Sequence, residues 1–157
     1  RSHGLVRDRN TEPILARCGV RFISDDLDWD KLLPERTAAG LISHPLNVIM
    51  DHDHLFHAHR TPEYVRRQQQ HWTLAQDPTR ESYGIEEWGD LVIRQVSAIE
   101  SRGGLATVLM HPLCMFIADG FRTARRLLAY FARSRCIWAS QAVECLPAAG
   151  QEGFHGA

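Results

Sequence analysis

Gly103-Gly104-Leu105-Ala106-Thr107-Val108-Leu109-Met110-His111-Pro112 is the stretch on which the fold turns. The two glycines stop whatever element precedes them. The apolar run that follows is nearly continuous, the mark of a strand covered on both faces. Pro112 then ends its hydrogen bonding just behind His111. On the N-terminal side, Trp88, Leu91, Val92, Val96 and Ile99 recur at helical spacing. On the C-terminal side, Phe121, Ala124, Leu127, Leu128 and Phe131 form a second amphipathic helix, and Cys136-Ile137-Trp138-Ala139 reads as another strand. Ser140 caps a final short helix. This alternation predicts an α/β chain with parallel strands joined by right-handed crossovers.

Toward the N-terminus the pattern continues less regularly. Asn10 or Thr11 caps a short helix that admits Pro13 in its first turn and ends at Gly19. Val20 to Ile23 is a strand running into Ser24-Asp25-Asp26-Leu27-Asp28-Trp29, and residues 30–44 read as loop around Pro34 and Gly40. Leu46 to Met50 is a further strand, ending at Asp51-His52-Asp53-His54. Thr61-Pro62-Glu63 opens a helix that carries Tyr64, Val65 and Trp72. The tail from Ala148 to Ala157 is rich in glycine and small residues and is expected to be flexible.

With 157 residues, 44% hydrophobic and 24% charged, the chain is sized for one globular domain and excludes collagen, coiled coil and wholesale disorder. Its formal net charge of -1 argues against a phosphate-driven nucleic-acid binder. Lys31 is the single lysine among 18 basic residues. Cys18, Cys114, Cys136 and Cys145 are widely spaced with no C-x-x-C pair, so buried free thiols are expected rather than a disulfide or zinc-ribbon framework. No apolar run is long enough to span a membrane, and a homo-oligomer is left open.

Sites in parallel α/β folds form at the carboxyl ends of strands. Polar, titratable residues stand at three such ends here: Ser24 to Trp29, Asp51 to His54, and His111. Arg1 to Gly4 makes a fourth if a strand precedes it. His111 has the position of a general acid or base, or of a histidine satisfying a local backbone group. Asp25, Asp26 and Asp28 crowd three carboxylates into four residues, which is unfavourable unless a cation is close. Either one of them orients His111 or they form a solvated turn. Trp29 stacks on a sugar ring or packs internally. The run Asp51-His52-Asp53-His54-Leu55-Phe56-His57-Ala58-His59 is dense in metal-competent groups. In an extended backbone it would put His52 and His54 on one face. Its spacing fits no closed structural zinc pattern, and a polar rim is the other reading. His44, His71 and His155 read as surface or local residues, Trp88 and Trp138 as core.

Together these positions resemble the C-terminal half of a polysaccharide deacetylase (NodB-homology) domain. Arg1-Ser2-His3-Gly4 with the following helix and Gly19-Val20-Arg21-Phe22 is similar to the family's third motif, with His3 where a proline is usual. Asp25-Asp26-Leu27-Asp28-Trp29 resembles the fourth, and Leu109-Met110-His111-Pro112 the fifth. The helix and strand from Phe121 to Ala139 are similar to the closing βα units. Pro45 to Phe56 resembles the allantoinase-like and peptidoglycan-deacetylase-like branch. The resemblance covers residues 1–147 and implies a partial deformed (β/α) barrel with parallel strands and flanking helices.

What it implies for chemistry is hydrolysis of a carbon–nitrogen bond, chiefly deacetylation of an N-acetylated sugar or polysaccharide or cleavage of a related small amide. His111 becomes the general acid, Asp28 or Asp25 its carboxylate partner, and Arg1 the residue that orients a catalytic aspartate. His3, Trp29, Asp51 and Asp53 fall to substrate contact. The family's divalent metal, usually zinc, takes ligands from two motifs expected N-terminal to Arg1. The chain alone is therefore expected to lack the metal site and to be inactive. Two other readings stand beside it: an amidohydrolase-type metal enzyme using His52 and His54, and a non-catalytic, glycan-binding or degenerate half-barrel.

Overall fold

The computed structural model describes residues 8–71 and 82–146. Arg1, His3, Trp72, His155 and the tail from residue 148 to 157 lie outside the described residues, as do the side chains of residues 68–71. The architecture is mixed α/β, with one three-stranded sheet among the described residues. Two compact units divide the chain: one runs to Asn47 and takes in Arg102–Thr107 and the chain from Ile137 onward, the other comprises Val48–Ser101 and Val108–Cys136.

In the first unit, helix α1 (Thr11–Arg17) is followed by strands β1 (Phe22–Leu27), β2 (Glu35–Arg36) and β3 (Ile42–Leu46). The residue that secures the start of α1 is Asp8, whose Oδ1 accepts the N–H groups of Asn10 at 2.9 Å and Thr11 at 3.0 Å. Those donors hold its carboxyl below the ordinary aspartate range. The strand order is β1-β3-β2, with β1 parallel and β2 antiparallel to the central β3.

The central strand starts earlier than expected, inside the stretch read as loop, and it contains Pro45. A proline in a central strand removes a ladder donor. Two features absorb that loss. Across from Pro45, β1 shifts register between Ile23 and Asp26. On the other side, β2 pairs only with Ile42 and Ser43 and stops before Pro45 is reached. Every residue from Leu41 to Met50 is buried, His44 among them, and burial pushes that imidazole below its ordinary range.

Leu105 to Met110 is half-buried rather than enclosed and joins no strand ladder among the described residues. Its first residues are held by a side chain instead. The Asn47 amide donates to the carbonyls of Leu105 at 3.0 Å and Lys31 at 2.9 Å, while its oxygen accepts the Thr107 N–H at 2.9 Å. Leu105 N–H donates to Leu32 at 2.8 Å. Cys136 to Ala139 forms no strand either, and Trp138, expected in the core, is 80% exposed ahead of a 3-10 helix over Ala139–Cys145.

The second unit is helical: α2 (Asp51–His54), α3 (Pro62–His71), α4 (Ile85–Ser101), α5 (Pro112–Asp119) and α6 (Arg122–Phe131). No helix of the described residues is long and apolar enough to cross a membrane. Thr61 caps α3 as expected, its hydroxyl accepting the Tyr64 N–H at 3.1 Å. In α4 the periodic residues Trp88, Val92, Val96 and Ile99 are buried. That helix also grips the chain entering α2. Trp88 Nε1 donates to the Met50 carbonyl at 3.2 Å, and Gln95 Oε1 accepts the Ile49 N–H at 2.8 Å.

Helix α5 was not expected, although its signals are in the sequence: Pro112 in the first turn and Gly120 after the last, left-handed at φ 63°. Phe121, expected inside the following helix, is also left-handed at φ 67°, so the chain reverses over two residues and α6 begins at Arg122.

Two substitutions test these contacts. Asn47→Ala strips the half-buried backbone groups of Lys31, Leu105 and Thr107 of their partners, at about 1–3 kcal/mol for each one left unsatisfied. Chemical denaturation should show a loss of at least ~2 kcal/mol. In α4, a Cβ on Gly89 would lie 2.7 Å from Thr123 Cγ2 and 2.4 Å from Arg126 Nη2 of α6. Arginine can swing aside; Thr123 is buried and cannot easily do so. Helix propensity alone favours alanine by ~1 kcal/mol, against an overpacking cost of about 1–3 kcal/mol. Gly89→Ala should therefore lower the unfolding midpoint; a raised midpoint would show that the two helices part freely.

Candidate functional site

The most polar cluster of the second unit is built on Asp51, at the start of α2. Its carboxylate is fully buried, an expensive position that must be offset by donors. Oδ1 accepts the His52 N–H at 2.7 Å and faces His111 Nδ1, also at 2.7 Å. Oδ2 accepts the His111 backbone N–H. Residues sixty apart in sequence are thus joined through both the main chain and the ring of His111. The His111 side chain is 46% exposed, so the ring is buttressed at Nδ1 yet open to solvent. With Nδ1 committed to Asp51, Nε2 is the nitrogen available for proton exchange.

Three more imidazoles surround this pair. The His52 ring lies 5.4 Å from that of His111, 5.9 Å from His57 and 5.8 Å from His59. The His57 and His59 rings are 4.5 Å apart and nearly perpendicular. Burial, then the nearby His59 and His52, hold His57 below the ordinary histidine range, with Asp51 acting weakly the other way. His57 Nδ1 is closed off from solvent and has no hydrogen-bond partner among the described residues.

Cys114, in the first turn of α5, completes the cluster. Its Sγ lies 3.6 Å from His57 Nε2 and 4.0 Å from His52 Nδ1. Two overlapping groups have potential ligand atoms all within 4.8 Å of one another: His52, His57 and Cys114, and Asp51, His111 and Cys114. The chain therefore carries a cluster whose donors could hold a metal. Burial, followed by the Asp51 and Asp53 carboxylates, pushes the Cys114 thiol up to about 11.

The residues singled out from the sequence are distributed as follows. Asp51 and His111 meet directly, and Asp53 stands on α2, half-buried. His52 and His54 do not share a face, because Asp51–His54 is a helical turn rather than an extended segment. Two positions on a helix differ by roughly 200°; His52 is exposed and His54 is buried.

Asp25, Asp28 and Trp29 belong to the other unit. Asp25 is buried on β1. Asp28 Oδ1 accepts the N–H groups of Asp30 at 3.0 Å and Lys31 at 3.2 Å, so this carboxylate shapes the turn. The cation that the acidic crowding calls for is Lys31, 2.7 Å from Asp26 and 2.8 Å from Glu35. Burial lowers the lysine pKa, and the two carboxylates more than reverse that, leaving it raised.

Cys114 is the member that sequence reasoning passed over as an ordinary buried thiol. The available signal was its spacing: three residues after His111, with Pro112 starting a helix between them, which turns position 114 back beside the strand-end histidine.

The thiol itself is open to test. At pH 8 a group titrating near 11 is about one part in a thousand thiolate. In metal-free native protein a thiol-reactive dye should label the exposed Cys18 and Cys136 readily and Cys114 only on unfolding. Peptide mapping that finds Cys114 among the first labelled would contradict this burial.

No protein-family model, curated protein or solved structure matches the chain.

Proposed function

We propose that the chain belongs to a hydrolase of non-peptide carbon–nitrogen bonds, acting most naturally in deacetylation of an N-acetylated sugar, with His111 as the acid–base residue. The single observation that carries this reading is the Asp51–His111 pair: a half-exposed imidazole held at Nδ1, 2.7 Å from a fully buried carboxylate. That arrangement fixes ring orientation and stabilises the imidazolium when it forms. It also stands where the sequence pattern puts a deacetylase-like acid, behind the apolar run Leu105 to Met110.

In the proposed reaction His111 Nε2 takes a proton from the attacking water as the water oxygen bonds to the acyl carbon, then gives it to the amine nitrogen as the carbon–nitrogen bond breaks, so the acyl group leaves as the acid and His111 ends in its starting state. Asp51 takes the partner role assigned to Asp28 or Asp25 by the resemblance. Asp53, half-buried on the same helical turn, keeps the substrate-contact role that the resemblance implies. A divalent metal of the kind the resemblance implies polarises a carbonyl and activates water when bound. The wider fold we propose is part of a deformed (β/α) barrel, with the parallel β1–β3 pair as one of its elements.

The test uses the longest native form of the protein that carries this chain, assayed for acetate or amine release from N-acetylated sugar oligomers and small ureides. His111→Ala should reduce turnover about 10²–10⁴-fold, the usual worth of a positioned acid–base group. Asp51→Asn should produce a loss of the same order, since the amide no longer stabilises the charged ring. Turnover unchanged in His111→Ala removes the acid assignment; no release from any substrate of the panel removes the hydrolase reading.

A further inference from the structure

We infer that His52, His57 and Cys114 form a zinc site of this chain's own, with one coordination position left open to an exchangeable ligand. The inference goes beyond the hydrolase reading and does not rest on it.

The first argument is metric. A tetrahedral zinc ion with Zn–N near 2.0–2.1 Å and Zn–S near 2.3 Å separates a ligand nitrogen from a ligand sulfur by about 3.6 Å. Cys114 Sγ stands 3.6 Å from His57 Nε2 and 4.0 Å from His52 Nδ1. The first distance already suits the ion, and the second closes with a small rotation of the exposed His52 ring.

The second argument is chemical. Two imidazoles and one thiol are the borderline-soft donor set that suits zinc, whereas calcium and magnesium want oxygen. Three protein ligands with a free fourth position is the composition of an open rather than a closed structural site.

The third argument separates this group from the overlapping one. Asp51 and His111 also come within reach of Cys114. The Asp51 oxygens, however, already meet the His52 and His111 N–H groups and His111 Nδ1, and that ring nitrogen is bound to Asp51 in return. An ion on that group would dismantle the pairing that satisfies a buried carboxylate. An ion on His52, His57 and Cys114 replaces only the thiol–imidazole contacts.

The spacing explains why no familiar signature announces the site. His52 and His57 are five apart across the end of α2, and Cys114 arrives from α5. Asp51 joins those two segments through the His111 main-chain N–H as well as through its ring, and the main-chain bond does not depend on the side chain at 111.

The experiment titrates the metal-free full chain with cobalt(II) as the spectroscopic probe and with zinc against a chromophoric chelator. Wild-type protein should develop a sulfur-to-cobalt charge-transfer band and the intense visible bands of four-coordinate cobalt. Cys114→Ser should abolish the charge-transfer band. His57→Ala should weaken zinc at least tenfold, and His57→Gln should do the same if the alanine variant folds poorly by circular dichroism. His111→Ala should keep the charge-transfer band, which separates this site from the hydrolase reading, where the same variant loses turnover. Absence of the band in wild type, its survival in Cys114→Ser, or its loss in His111→Ala with retention in His57→Ala would each overturn the assignment.

Discussion

A carboxylate with no exposure to water has to be met by donors, and Asp51 is met almost entirely by His52 and His111. Leaving such a charge unpaired costs several kcal/mol, a large share of a domain's net stability. Folding therefore has to bring the start of α5 to the start of α2. The geometry of the polar cluster follows from that demand. His111 is anchored by backbone and ring alike, Cys114 follows it at a fixed offset on α5, and the histidines after Asp51 ring the same point. Helix α4 makes the demand achievable, because Trp88 and Gln95 bind the two residues immediately before Asp51 and so set its depth. The apolar face of α4 is thus a positioning device as well as core.

Much of this was legible in the residues. The helical spacing of Trp88, Val92, Val96 and Ile99 predicts the buried face of α4. The Thr61-Pro62-Glu63 start predicts α3, and the helix before Gly19 and the strand after it fall close to their expected places, whereas the strand expected over 46–50 runs Ile42–Leu46 instead. Where the reading failed, one local signal outweighed another. The stretch 30–44 reads as loop around Pro34 and Gly40, yet β3 starts there at Ile42, and a register shift opposite Pro45 with a short neighbour lets that proline sit in the centre of the sheet. The apolar run 105–110 argued for a ladder strand, yet Asn47 supplies the hydrogen bonds to its first residues from a side chain. No periodicity rule carries that information, since it depends on a contact almost sixty residues away.

The candidate site was half visible for a similar reason. Its titratable members stand out by type: His111 beside a proline, and the Asp/His run from 51 to 59. Their pairing does not. With two acidic strand ends to choose from, the resemblance gave the partner role to Asp28 or Asp25 and left Asp51 to substrate contact; only burial and distance single out Asp51. The four-residue helix at 51–54 is too short for a periodic signature, yet it decides which of His52 and His54 faces the solvent. Cys114 carries its meaning only once α5 exists.

Lys31 has a consequence of another kind. It is the single lysine of the sequence, and its ammonium is spent on Asp26 and Glu35 in the turn between β1 and β2. Amine-directed chemistry, whether a surface-coupling reagent, a fluorophore ester or a bifunctional cross-linker, has one side-chain handle on this protein, and occupying it unties the cation from both carboxylates. Immobilising the protein through amines would attach it by the group that neutralises its acidic turn, in the unit that does not hold the histidine cluster. Attachment through the exposed thiols of Cys18 or Cys136 leaves that ion-pair network alone.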